Sequence, residues 1–265
     1  MVSFHPLPPL TRSDRSRNGR MPTHAEALWV LSALFLARAR RQWRPYLVVS
    51  TAMPSGIVLL LGLVGHLRQG VGATATVGAM DLVLGITAVT LLAQQVSESV
   101  HNGSLDLLRT LPVAPVLVLL ALFVSATVFA VPGLVVVAFL GHFLYGIPLH
   151  PTLWILPVLV LTGLALGGIG AYVGLRANSE AVAGLVGNLV MMVVLFLGIV
   201  PSQHMPIPIL LVRDILPVGA AAGALRAALG HAAPPLWQFV SLGAWAALGA
   251  VTGSREARRE RPRGV

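Results

Sequence analysis

The chain contains no cysteine and no lysine among its 265 residues. Without cysteine it can form no disulfide, no thiolate metal site and no cysteine nucleophile. The standard phosphate-binding loop of nucleotide-binding proteins uses a lysine to reach the phosphates, so the missing lysine excludes that motif. If the protein uses ATP, another polypeptide must bind it.

Charged residues are also scarce, because they make up 10% of the chain whereas hydrophobic residues make up 56%. Soluble domains contain about 25% charged residues. A chain this apolar cannot cover itself with polar surface, which indicates a protein whose solvent is the lipid bilayer. A helix needs about 20 mainly apolar residues to cross that bilayer. Six segments satisfy this condition: 46–65, 77–96, 116–141, 153–175, 183–201 and 235–253.

All 18 basic residues are arginine, and they are distributed unevenly about the predicted spans. Eight precede the first span and five follow the last. Arg109 and Arg176 lie in connections on the same side as the termini, whereas Arg68, Arg213 and Arg226 lie on the other side. Positive residues concentrate on the cytoplasmic side of membrane proteins. The pattern predicts a multi-pass protein of the cell membrane with both termini cytoplasmic, and it indicates that the net charge of +9 does not serve nucleic-acid binding.

The segments outside the spans differ in composition. Residues 1–23 predict a disordered tail and residues 254–265 a basic cytoplasmic tail, which leaves 24–253 as one membrane domain. Segment 24–44 contains an apolar run, 25–37, that is too short to cross, and the arginines after it predict an amphipathic helix on the membrane surface. Segment 202–234 is apolar yet broken by prolines, which predicts a re-entrant segment of short helices before the last span. The predicted fold class is therefore an all-α membrane protein with six transmembrane helices.

Side chains that could carry chemistry are few. The eight histidines have no metal-binding spacing, so we expect no metal site. Asp81 is the charged residue inside a predicted span, about one turn from its external end, where it could serve an ion path. Asn188 lies near a cytoplasmic end, where we expect an interhelical hydrogen bond. The glycine-rich segment 163–174 predicts close helix packing within the chain, because it lacks the strand-to-helix context of a dinucleotide site.

The connection between the second and third spans has an unusual pattern, QQVSESVHNGSLDLLRTLP, at residues 94–112. Ser104 is a suitable N-cap, Asp106 lies in the first turn where the helix dipole favours an anion, and Pro112 ends the helix. Leucines at three-residue steps give this helix an apolar side. They are Leu105, Leu108 and Leu111, with Leu107 beside them. The pattern predicts a two-turn cytoplasmic helix that either lies on the membrane or docks in a groove of a partner.

This connection resembles that of the permease subunits of type-2 ABC exporters, among which the chain is most similar to drug exporters. In that family an acidic residue precedes Gly-Thr-Leu-Glu, a leucine-rich turn and a proline. The matching residues here are Glu98, Gly103, Ser104, Leu105, Asp106, Leu107, Leu108, Arg109 and Pro112. A second segment, 215–229, resembles the family's signature before the last span through Pro217, Leu225 and Arg226. With the six spans, the resemblance covers nearly the whole chain after residue 24.

The resemblance implies a mechanism of transport. Two permease subunits, either two copies of this chain or this chain and a paralogue, would form the path, and a separately encoded ATPase would bind ATP and Mg²⁺. Helix 104–111 would be the coupling helix, which seats in a groove of the ATPase and transmits its movement as a rigid-body switch. The chain would then be a transport subunit rather than an enzyme. An apolar path with few charges favours a hydrophobic drug-like molecule or lipid as the substrate.

Two other hypotheses stay open. The chain could be a polytopic membrane enzyme or an immunity factor that transports nothing. It could also be an ion-coupled secondary transporter, for which Asp81 would have to carry the coupling ion.

Overall fold

The computed structural model describes residues 24–39, 43–64, 69–103, 115–147, 152–199, 206–230 and 232–259. Every element in these ranges is helical, so the predicted all-α class is confirmed. In chain order the elements are α1 (His24–Ala39), α2 (Trp43–Val64), α3 (Gln69–Gly85), a π-helical turn (Ile86–Leu91), α4 (Leu92–His101), α5 (Pro115–Tyr145), α6 (Ile155–Arg176), α7 (Glu180–Ile199), α8 (Ile207–Ile215), α9 (Pro217–Leu229) and α10 (Leu236–Arg259).

Five helical stretches in the described part are long and apolar enough to cross a membrane. They are Gly72–His101, Leu120–Tyr145, Ile155–Arg176, Glu180–Leu197 and Leu236–Gly253. A sixth crossing is counted if the bent pair of α8 and α9 forms one span. The chain is therefore an integral membrane protein, and five of the six predicted spans agree with these stretches to within a few residues.

The first predicted span, 46–65, corresponds to α2, which is 22 residues long. Its strongly apolar part is shorter, Ser50–Leu63, and falls below the length of the five stretches above. Pro54 lies inside α2 and is buried against neighbouring helices, where such a break in the hydrogen-bond ladder is tolerated.

The second span lies at the centre of the molecule. It runs through α3, the π-helical turn and α4 from Gly72 to His101, and its apolar window is wholly buried. Helices α5, α6 and α7 pack around it. It extends beyond the predicted span, 77–96, at both ends. Hydroxyl groups are tolerated along this helix because Thr76, just before the predicted start, and Thr87, inside the predicted span, donate hydrogen bonds of 2.9 and 3.0 Å to backbone carbonyls one turn back.

The π-helical turn interrupts the α-helical geometry in the middle of the central span. Turns of this kind often lie at functional sites. Glycines of two neighbouring helices fit against it: a Cβ atom at Gly170 of α6 would lie 2.8 Å from the Val89 carbonyl oxygen, and one at Gly187 of α7 would lie 3.0 Å from Thr90 Cα. The turn is therefore held between α6 and α7 by contacts close to its backbone.

The glycine-rich segment 163–174 packs within the chain, as predicted. Gly168 meets the backbone of Gly249 in α10, and Gly174 meets the backbone of Ala93 in α4. Small residues allow helices in a membrane to approach this closely. They fix α6 between the central span and the last helix.

The predicted surface helix of segment 24–44 is present as α1. Leu31 is buried against Val118 and Ala121 of α5, whereas Trp29 is 74% exposed. Apolar side chains thus lie on both the buried and the exposed side of α1. Its position on a membrane surface stays a prediction.

The two ends of the chain differ in what the structure describes. The predicted tail at 1–23 lies outside the described residues. At the other end α10 continues to Arg259, beyond the predicted end of the last span at 253. Residues 254–259 are helical because neither glycine nor proline interrupts them before Pro262. The first half of the predicted basic tail is therefore an extension of the last helix.

The predicted pair of short helices before the last span is confirmed as α8 and α9, whose axes differ by 81°. Leu216 lies between them in an extended conformation, with φ of −73° and ψ of 150°. Pro217 then begins α9, where its missing N–H leaves no intrahelical hydrogen bond unmade. The bend places α9 against the central span and α10.

Candidate functional site

The His101 end of the central span leads into the segment that contains the predicted coupling helix. The backbone N–H of Asn102 donates to the Glu98 carbonyl at 2.9 Å, and its side-chain amide donates to Glu98 Oε1 at 3.4 Å. Gly103 follows with φ of +67°, a left-handed conformation that glycine adopts readily. The chain therefore turns as it leaves the central span, and Glu98 supports the turn.

Seven of the predicted coupling residues lie outside the described residues: Ser104, Leu105, Asp106, Leu107, Leu108, Arg109 and Pro112. The structure describes the other two, Glu98 and Gly103. They lie at the end of the central span, directly before this segment.

His101 joins two connections of the chain that are far apart in sequence. Its Nδ1 atom lies 2.7 Å from the Ser97 carbonyl oxygen on the same helix. Its Nε2 atom lies 2.8 Å from the carbonyl oxygen of Asn178, in the short connection between α6 and α7. The end of the central span is thereby linked directly to the next connection on that side of the molecule.

The connection between α6 and α7 has a defined geometry of its own. The Ser179 hydroxyl accepts a hydrogen bond of 3.2 Å from the Val182 N–H and so caps α7. At the end of α6, the Arg176 guanidinium lies over the Tyr172 ring, 5.4 Å from its centre. These contacts hold the Asn178 carbonyl in a fixed position relative to both helices.

A second polar site lies in α3, in the other half of the central span. Asp81 is 1% exposed, and neither carboxylate oxygen accepts a hydrogen bond from a described residue. Arg213 of α8 and Arg226 of α9 are the charged groups that act on it electrostatically. Arg213 is buried, and Arg226 Nη2 donates a hydrogen bond of 2.9 Å to the Thr74 hydroxyl. We call Asp81, Arg213 and Arg226 the charge cluster.

Asp81 lies deeper than the sequence indicated. The central span begins at Gly72, not at 77, so Asp81 is roughly 13 Å along the helix from that end at 1.5 Å per residue. The prediction of about one turn was wrong because it began the span where continuous apolar sequence begins.

The predicted signature residues before the last span meet this site. Pro217 begins α9 and is buried, Leu225 is fully buried, and Arg226 belongs to the charge cluster. The structure thus brings Asp81 and Arg226 together, although they were predicted as separate features. Asn188 is exposed on α7, on the side away from the buried interior.

A cavity of about 200 Å³ lies beside the charge cluster, between α3, α5 and α9. Thr76 and Met80 line it from the central span, and Arg226 and Leu229 line it from α9. Its wall is therefore almost entirely apolar, with one guanidinium at the edge.

Sequence reasoning missed Arg213, His101 and Asn178 as members of these sites. Arg213 was assigned to the external side within the re-entrant segment, because nothing in the sequence shows that the bend of the helix pair turns it inward. The partner of His101 is a backbone carbonyl 77 residues away. Every residue has such a carbonyl, so the sequence does not indicate this contact.

The comparison with protein families gives one match. Residues 26–229 match the model of the ABC-2 type transporter family. No curated protein matches the chain at a significant level. The matched range begins in α1 and ends with α9, so it contains the central span, the charge cluster and both connections that His101 joins. The chain therefore belongs to the ABC-2 type transporter family, as the membrane-spanning permease subunit of an ABC transporter that works with a separate ATP-binding subunit.

Proposed function

We propose that the chain is the permease subunit of an ATP-driven exporter and that helix 104–111 couples it to the ATPase. One observation carries the proposal: the central span, whose apolar window is wholly buried, runs through the molecule and ends two residues before Gly103, where the segment with the predicted coupling helix begins. A push on that segment acts directly on the helix around which α5, α6 and α7 pack.

The movement is a rigid-body switch. When the ATPase subunits close on ATP, the groove that holds helix 104–111 moves, and α4 moves with it. The π-helical turn separates α4 from α3, so the two halves of the span can change their relative angle there. ATP and Mg²⁺ are bound by the partner, since this chain has no lysine for a phosphate-binding loop.

The substrate we propose is a hydrophobic drug-like molecule or a lipid. The described spans expose many large apolar side chains, and the cavity beside Arg226 has a mostly apolar wall. A second permease copy or a paralogue would complete the path across the membrane. The distribution of arginines supports insertion in the cell membrane with both termini in the cytoplasm.

The buried charge cluster favours one alternative, an ion-coupled secondary transporter, because an ionisable residue inside a span is a common mark of an ion path. The two mechanisms differ in what stops transport. Export by the ABC mechanism stops when the partner ATPase loses its nucleotide-site lysine and does not require the Asp81 carboxylate as an ion carrier. A polytopic membrane enzyme or immunity factor would show no transport in either case.

Co-purification tests the coupling helix. We expect the full chain to recover its ATPase from a co-expressing cell and Leu108→Asp to reduce that recovery, because a carboxylate buried without a partner costs several kcal/mol. Leu153→Asp is the matched control: Leu153 is 90% exposed, lies just before α6 and is the first residue of the predicted fourth span, at its predicted external end, so recovery stays at the wild-type level. Equal recovery with Leu108→Asp and Leu153→Asp would remove helix 104–111 from the interface.

A further inference from the structure

The contacts of His101 restrict the protonation state in which they can form together. Both ring nitrogens lie within hydrogen-bond distance of a backbone carbonyl oxygen, 2.7 Å to Ser97 and 2.8 Å to Asn178. A carbonyl oxygen can only accept a hydrogen bond, so each ring nitrogen must donate one. Neutral imidazole carries a single N–H, whereas imidazolium carries two. The observed pair of contacts is therefore complete only when His101 is protonated.

Loss of the proton changes this arrangement in a defined way. Whichever nitrogen keeps its hydrogen, the lone pair of the other faces a carbonyl oxygen at less than 3 Å. That contact is repulsive, so the ring must turn or the two connections must separate. Because one bond lies within α4 and the other reaches the connection after α6, separation frees the end of the central span from that connection.

Charged groups lie on the helix ends at the same side of the molecule as His101. Glu98 lies one turn earlier on α4, Arg176 ends α6 and Glu180 begins α7. Arg255, near the end of α10, adds a second guanidinium on this side, so the described groups give no net excess of either sign. The contacts with the two carbonyl oxygens, rather than the surrounding charge, therefore favour the protonated ring.

We propose that His101 is a positioning residue for coupling, which in its protonated form clamps the end of the central span to the Asn178 connection. The proposal rests on the proposed function, because the clamped end is the one that receives the coupling helix. Histidine changes its charge between about pH 5 and pH 8. The clamp is complete at the acidic end of that range and loses one hydrogen bond at the basic end, so cytoplasmic pH would set how firmly both connections move together.

The absence of cysteine makes the clamp measurable in the full chain. Spin labels at Asn102→Cys and Ala181→Cys, both on exposed residues at the two connections, report the distance between them in lipid nanodiscs. From about pH 5.5 to about pH 8.5 we expect the ratio of the short-distance to the long-distance population to fall about tenfold, since one charge-assisted hydrogen bond is lost.

Two variants separate the clamp from a structural effect. His101→Gln cannot change its charge, so its distance distribution is the same at both pH values. His101→Arg stays charged and can donate to both carbonyls, so it keeps the short distance at about pH 8.5. A wild-type distribution that does not change with pH, or a pH response that survives in His101→Gln, would overturn the proposal. Should His101→Gln not insert, the wild type and His101→Arg still decide the question.

The outcome is independent of the test for the coupling helix. Failure of the clamp leaves recovery of the ATPase and its loss in Leu108→Asp unchanged. Failure of the proposed function leaves the pH-dependent distance in place, because that measurement needs no partner.

Discussion

At Asp81 the central span carries a carboxylate that is 1% exposed and accepts no hydrogen bond from a described residue. At His101 the same span carries an exposed ring that contacts two carbonyl oxygens. At the first site two arginines act on the carboxylate electrostatically, Arg213 from a buried position and Arg226 from an exposed one, whereas the second site consists of hydrogen bonds next to solvent. Electrostatic attraction is strong where water is absent and weak where it is present. One half of the span therefore carries a buried carboxylate, and the other half ends in an exposed ring that forms hydrogen bonds.

The π-helical turn lies between these two halves. A change of angle at this turn would let α4 move with the connections at the His101 end while α3 keeps its place beside the bent pair α8–α9. We call the π-helical turn the joint. The comparison predicts a different sensitivity for each of the three regions. Loss of charge should damage the Asp81 half most, added volume should damage the joint, and a change of pH should affect the His101 end.

The largest effect is expected at the charge cluster. Asp81→Asn keeps the size of the side chain but removes the carboxylate on which Arg213, 8% exposed, acts electrostatically. Leaving a buried charged group without compensation costs about 3 kcal/mol, so thermal unfolding in detergent should occur at a lower temperature. Asp214→Asn is the control, because Asp214 is the exposed neighbour of Arg213 and its loss should cost no more than about 0.5 kcal/mol. Equal melting of the two variants would mean that the cluster does not fasten α8 and α9 to the central span.

A smaller effect is expected at the joint. The Cβ atom of Gly170→Ala would approach the backbone carbonyl oxygens of Ala88 and Val89, so the π-helical turn or α6 must shift. Overpacking of this kind costs about 1 to 3 kcal/mol. Gly243→Ala is the control, since its Cβ meets no atom within 4 Å and alanine favours a helix over glycine by about 1 kcal/mol. We expect opposite shifts in melting temperature for the two variants. A stabilised Gly170→Ala protein would show that the turn is not closely held.

Much of the fold follows from the sequence, because long apolar segments without charges must be helices in lipid. Five spans were predicted in this way. The bent pair was predicted from its prolines, and the packing of segment 163–174 from its glycines. The π-helical turn was not predicted, because Ile86–Leu91 has the composition of any apolar helix and its geometry depends on glycines in α6 and α7. The start of the central span was predicted too late in the sequence. Hydroxyl groups such as that of Thr76 donate to backbone carbonyls, so these polar residues can lie inside the span.

The candidate sites depend more on tertiary contacts than the spans do. Asp81 and Arg226 were selected one by one as unusual residues, yet their proximity depends on an 81° bend between two short helices. The link from His101 to Asn178 depends on how two connections meet in space. The coupling helix lies in 104–114, outside the described residues, and stays a prediction from the leucine pattern and the family resemblance.

The central claim is that ATP-driven movement enters the central span through helix 104–111. Its most direct test is a photo-crosslinking amino acid in place of Leu108 in the assembled transporter, with Leu153 as the control position. The account predicts a covalent adduct between position 108 and the ATPase subunit and none at position 153. Absence of an adduct at position 108, while the ATPase still co-purifies with the chain, would contradict it.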